Sequence, residues 1–109
     1  MNKHDKALTL EFRKRLPVDV KDHVTAIMIF GSRARGDASP YSDLDMAVLV
    51  DRRTVEIERK LRDIAYQVMW DHDFKPVISL KVFSRKKFDK AVRKKFSFYR
   101  HVMSEGISL

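Results

Sequence analysis

Two short apolar runs, VTAIMIF at residues 24–30 and LDMAVLV at residues 44–50, constrain this chain more than any other feature. Each has a strand's length and is bordered by turn residues, so each reads as a buried β-strand. Between them lies a turn-rich stretch containing Gly36, Asp37, Ser39 and Pro40. The second run carries charge where a buried strand should have none: Asp43 and Asp45 stand at its mouth. Any fold for this chain must pack both runs and still find a use for that pair of carboxylates.

The remaining sequence supplies helices and one more strand. Leu8, Phe12 and Leu16 recur at helical intervals over residues 4–16, and Pro17 ends the segment. Thr54 can cap a helix over residues 54–70, whose apolar stripe is Val55, Ile57, Leu61, Ile64, Val68 and Met69. Residues 76–83 alternate, with Ile78, Leu80 and Val82 on one face and Val77, Ser79, Lys81 and Phe83 on the other. Ser84 reads as the N-cap of a basic helix over residues 85–92, and a last helical segment, residues 96–104, stops at Gly106. The order α-β-β-α-β-α-α predicts an α/β fold, a small mixed β-sheet with helices packed on it. With 109 residues, the chain has the length for a single domain over 1–109 with one modest core.

Composition narrows the chemistry. There are no cysteines, which excludes disulfides and thiolate metal sites. No segment has the length or apolarity of a membrane span, and a cytoplasmic protein is expected. The formal net charge of +8 favours polyanionic partners without choosing among them, and RKKFDKAVRKKF carries much of it. That run reads as a solvated face, with a docking surface for RNA or an acidic partner as the alternative. The four histidines show no metal-ligand spacing. Phe96, Phe98 and Tyr99 are expected to pack the last helix on the sheet, with stacking on nucleobases beside the basic helix as the alternative, and Met69 and Trp70 to lie in the core or, if exposed, in an interface.

Asp43 and Asp45 lie two residues apart, so on a strand their carboxylates face one way and repel unless a cation lies between them. A hard divalent ion with oxygen ligands, Mg²⁺ for preference, suits that role. At the end of the first strand, Gly31 lets backbone N–H groups approach a phosphate closely and Ser32 adds a hydroxyl donor. Arg33 and Arg35 can bring positive charge to the same phosphates. Taken singly, Asp-x-Asp is commonly a solvated strand end and Gly-Ser a turn. Together they are the parts that phosphoryl or nucleotidyl transfer requires.

The spacing Gly31-Ser32-x10-Asp43-x-Asp45, with Arg33, Arg35, Gly36 and Ser42 inside it, resembles the minimal nucleotidyltransferases of the polymerase-beta-like superfamily. The helix and strand order is similar, and the ending FYRHVMSEGISL looks like theirs, so the resemblance covers nearly the whole chain. It implies a palm-like nucleotidyltransferase fold, ATP as donor, and Mg²⁺ on Asp43 and Asp45. It implies nucleotide binding by Gly31 and Ser32, with Arg33, Arg35 and Ser42 as further candidates. Such proteins are often encoded beside a small HEPN-domain ribonuclease toxin, and some act as its antitoxin by transferring AMP to a toxin tyrosine. A HEPN-domain partner is therefore implied, and self-association is left open.

One departure bears on catalysis. The superfamily carries a third carboxylate on a later strand, and the position aligned with it here is Ser79, with Lys81 on the same face. Asp71 and Asp73, in WDHDF, are more distant substitutes that read as a polar loop. The sequence thus supports nucleotide and metal binding more fully than catalysis. Two other readings stand beside the enzyme: a binding module of the same fold that neutralises a toxin by contact, and a basic nucleic-acid-binding domain.

Overall fold

A computed structural model of the chain describes residues 1–108. Ten elements follow one another: α1 (Lys3–Lys14), α2 (Val18–Lys21), β1 (Val24–Phe30), α3 (Gly31–Arg35), β2 (Leu44–Val50), α4 (Val55–Asp71), β3 (Ile78–Ser84), α5 (Arg85–Arg93), α6 (Ser97–Glu105) and β4 (Ile107–Ser108). The strands form one sheet in the order β3-β2-β1-β4. β1 runs antiparallel to β2 and to the two-residue β4, whereas β2 and β3 are parallel. The sheet is therefore mixed, as expected.

Both faces of the sheet are covered, which explains why the two central strands are apolar almost throughout. On one face Ile27, Ile29, Leu44, Met46, Val48, Ile78, Leu80 and Val82 meet α1, α2 and α4 through Leu8, Phe12, Val20, Leu61, Ile64 and Val68. On the other, Met28, Phe30, Ala47 and Leu49 meet α5 and α6 through Phe88 and Val102, with Phe83, Val92 and Tyr99 packed alongside. The first face is the thicker core. Phe12 and Phe88 are fully buried, one on each side, and side chains of that size each contribute about 1.5–3 kcal/mol by leaving water.

The helix boundaries follow local chemistry. Asn2 accepts the Asp5 N–H at the start of α1, and Thr54 accepts the Ile57 N–H at the start of α4. Ser84 caps α5 as its sequence position predicted, through Lys87 N. Three short features depart from the sequence expectation. Pro17 separates α1 from the four-residue α2. The turn after β1 winds into the five-residue α3. Ile107 and Ser108 add β4 beyond Gly106. None is long enough to generate a periodic signal.

Aromatic placement also differs in part. Tyr99 is half-buried against Phe83 and Phe88, but Phe96 is 54% exposed and Phe98 40%. Trp70, at 66%, lies outside the core and gathers with Tyr66 and Phe74 on the surface. Met69 is half-buried, and its sulfur accepts the Ile78 N–H. Among the described residues, no helix is long and apolar enough to cross a membrane.

Candidate active site

Asp45 is the second residue of β2, and Asp43 precedes the strand by one residue. Alternation along β2 directs Asp45 to the same side as Ala47 and Leu49, the α5–α6 side, while Leu44 and Met46 enter the thicker core. Asp45 is half-buried and Asp43 exposed. Burial pushes the Asp45 carboxyl above its ordinary range, and the neighbouring Asp43 charge pushes it further. Lys81 and Arg35 act in the opposite sense, drawing it partly back. The fields of three neighbouring charges thus converge on one carboxylate.

The Gly-Ser turn belongs to the same place. Phe30 lies opposite Asp45 in the β1–β2 register, so the residue after it arrives beside that carboxylate. Gly31 has φ +76°, a conformation that residues with a Cβ rarely adopt. A Cβ there would collide with Asp45 Oδ2 and lie 3.2 Å from Asp45 Cγ. Only a bare main chain fits this close. Gly31 and Ser32 open α3, whose N-terminus carries no side-chain cap, and its first N–H groups have no preceding turn to bond. Arg35, at the last turn of α3, contacts Asp37 through Nε at 3.2 Å.

Residues 9–103 match the family described as Nucleotidyltransferase domain. The chain belongs to that family. Two relatives come from Methanocaldococcus jannaschii. The one named "Putative protein adenylyltransferase MJ0141" is 35% identical over 71 residues, which span 62% of this chain and 72% of the relative. The one named "Putative protein adenylyltransferase MJ1305" is 33% identical over 63 residues, spanning 55% of this chain and 43% of the relative. No solved structure matches the chain significantly.

In this nucleotidyltransferase, the Arg33 side chain does not stand with Arg35 at the Gly-Ser turn, contrary to the sequence expectation. Its side chain is buried, and Nη1 donates to both carboxylate oxygens of Asp5 at 3.1 Å. Nε and Nη2 donate to the carbonyls of Ser42 and Pro40. A guanidinium with this many buried acceptors is a clamp between α1 and the loop leading to β2. Ser42 is likewise engaged within that loop, where its hydroxyl accepts the Ser39 N–H and pairs with the Ser39 hydroxyl. Asp5 was missed from sequence because an acid in the first turn of a helix is ordinarily explained by the helix dipole.

β3 brings Ser79 and Lys81 alongside the carboxylate strand. Ser79 is the Cα partner of Asp45 across the parallel β2–β3 pair, and Lys81 the partner of Ala47. Asp71 instead pairs with Arg15 at 2.7 Å on the α1–α4 side. Asp73 lies exposed in the turn after α4 with φ +57°. Among the described residues, no cluster of three or more His, Cys, Asp or Glu could hold a metal. The carboxylates of Asp43 and Asp45 remain, and these fit part of the shell of one hard cation whose other ligands would come from substrate and water.

Proposed function

We propose that this nucleotidyltransferase moves AMP from ATP to a hydroxyl group of a protein, with Asp43 and Asp45 as Mg²⁺ ligands. The observation that carries this reading is the abutment of the Gly31 main chain on the half-buried Asp45 carboxylate. It brings phosphate donors and paired anions to one point, an arrangement that is costly without a cation and a polyphosphate to fill it. Mg²⁺, when bound, supplies neutralising charge to the triphosphate. The chain's own contributions are binding and orientation. Gly31 permits close approach of the backbone, Ser32 offers its hydroxyl, and Arg35 adds a cation whose field reaches Asp45. The acceptor oxygen attacks the α-phosphorus, the bond from that phosphorus to the bridging oxygen breaks, and pyrophosphate leaves. The acceptor's proton passes to solvent or to a base on the partner.

A protein acceptor is favoured by the names of the two archaeal relatives. The resemblance to minimal nucleotidyltransferases extends the reading to a HEPN-domain toxin as acceptor and to an antitoxin role in the cytoplasm. The test is transfer of label from α-³²P-ATP to a co-purified HEPN-domain protein with Mg²⁺ present. Transfer should disappear in the Asp43→Ala, Asp45→Ala double variant, and persistent labelling there would remove those residues from the site.

A second reading is favoured by Ser79 and Lys81, which put a neutral side chain and a cation where a third anion would assist catalysis. On that reading the chain neutralises its partner by contact alone. The double variant would then still form the complex and still protect cells. Loss of protection with the complex intact would exclude it.

A further inference from the structure

β2 and β3 run parallel, and their carboxyl ends lie at the opposite end of the sheet from Asp45. From Asp45 to Asp51 is six residues of extended chain, about 20 Å at the usual strand rise. At that far end a cavity of about 350 Å³ opens between the β2–α4 loop and α5. Arg52, Arg53 and Lys87 line it, together with Phe83 and Tyr99. Crevices outside the carboxyl ends of parallel strands are the usual ligand positions in open α/β sheets.

The charges around this cavity are unequally matched. Asp51 is engaged by His23 at 2.9 Å, and Arg53 is held by Glu58 at 3.1 Å. Arg52 and Lys87 are exposed and, among the described residues, have no acidic partner. Two unmatched cations therefore face a pocket with a wall of half-buried aromatic rings. Phe83 and Tyr99 meet edge-on with centroids 5.6 Å apart, and both pack on buried Phe88. These rings are fixed by the core and do not have to be ordered by a ligand. A complementary ligand needs a dianionic or polyanionic group and a flat apolar body. A volume near 350 Å³ falls within the usual range for small-molecule sites of roughly 300–1,000 Å³.

We infer that this cavity is a second anion site, separate from the carboxylate pair, and that it takes a nucleotide unit. Arg52 and Lys87 hold the phosphate, and the base lies against Tyr99 and Phe83. The ligand is either a free mononucleotide or one residue of a single-stranded nucleic acid. Lys86, Lys90, Arg93 and Lys94 extend the positive field along α5 away from the cavity, which gives a longer chain somewhere to continue. This inference does not rest on the transfer reaction proposed above, and it is tested without Mg²⁺.

The experiment is a ¹⁵N–¹H NMR titration of the full chain in EDTA, with AMP in one arm and a ten-nucleotide oligoadenylate in the other. Amide shifts should concentrate at residues 51–53, 83–88 and 99. Arg52→Ala with Lys87→Ala should weaken binding roughly tenfold or more, as expected for loss of two charge-assisted contacts. Both side chains are exposed and unpaired, so the double variant should keep its fold, which the rest of its spectrum reports. Saturation by AMP at equal affinity identifies a mononucleotide site. Much tighter oligoadenylate binding, with a salt slope that falls by about 0.7 in the double variant, identifies single-stranded nucleic acid. Shifts confined to residues 31–45, no binding of either probe, or unchanged binding in the double variant would each overturn the assignment.

Discussion

Gly31→Ala offers the sharpest test of how the Gly-Ser turn and the carboxylate are joined. Two costs add at this position. The first is conformational: at φ +76° a Cβ costs about 1–2 kcal/mol. The second is steric, because the new methyl would meet Asp45 Oδ2 and stand 3.2 Å from Asp45 Cγ. Forcing an extra methyl into a filled space typically costs about 1–3 kcal/mol. Gly36 is the internal control. It has φ +85° at the end of α3, but nothing lies within 4 Å of a Cβ built there, so Gly36→Ala should cost the backbone strain of about 1–2 kcal/mol alone.

Urea denaturation followed by circular dichroism gives each free energy by linear extrapolation. Gly31→Ala should cost about 2–5 kcal/mol, the sum of both effects. Combining it with Asp45→Ala closes a double-mutant cycle. Removing the carboxylate should return the cost of Gly31→Ala to that of Gly36→Ala, a coupling of about 1–3 kcal/mol. An equal cost at the two glycines in the wild-type background would refute the close approach. So would a cost at Gly31 that is unchanged by Asp45→Ala.

Arg33→Ala should destabilise by about 3–5 kcal/mol, because it strands the buried Asp5 carboxylate; a thermal melt reads this, and a loss under about 1 kcal/mol would deny the clamp. Asp45→Asn should raise Tm at pH 7. Its folded-state pKa is raised, so the fold favours the protonated form; the ionisation cost is absent below 3.8, grows as pH rises through the folded-state pKa, and then stays constant. The advantage of Asn should therefore vanish in melts below that pH, and a pH-independent advantage would be contrary to the charge argument. Ser79→Asp with Lys81→Ala should strengthen Mg²⁺ binding on the order of tenfold, measured calorimetrically with ATP present. Unchanged affinity would mean that β3 does not face the ion.

What the sequence made legible was set by the length of each signal. β1, β2 and α4 were read almost to the residue, because a long apolar run or a capped amphipathic stripe survives any tertiary context. Asp43, Asp45 and Gly31 were legible as a group because strand alternation and the need for a bare backbone are local rules. Arg33 was not. From sequence it is one of two equivalent arginines flanking Ala34, and only the return of α1 against the turn gives it Asp5 as a partner, 28 residues away. Arg35, two residues further on, pairs with Asp37 on the surface and still acts on Asp45. Trp70 took the exposed alternative: it lies four residues beyond the exposed Tyr66 and two beyond the buried Val68, on the outer face of α4.

The placement of Ser79 has a consequence for how many ions the site can hold. Neighbouring strands lie about 4.8 Å apart, so a carboxylate at Ser79 would stand directly beside Asp45 and complete a three-anion face. That position carries no charge, and Lys81 follows two residues later on the same side, about 6.6 Å along the strand. The charges that act on Asp45 are then two aspartates counting itself, balanced by Lys81 and Arg35. Two divalent ions would add a charge of +4 to a site already balanced, and only ATP could offset it. On the proposed function, one ion on Asp43 and Asp45, with Arg35 beside the triphosphate, would leave a far smaller imbalance. The local charge would then favour one ion over two, and Mg²⁺ affinity in the absence of ATP is the quantity expected to respond most to Lys81.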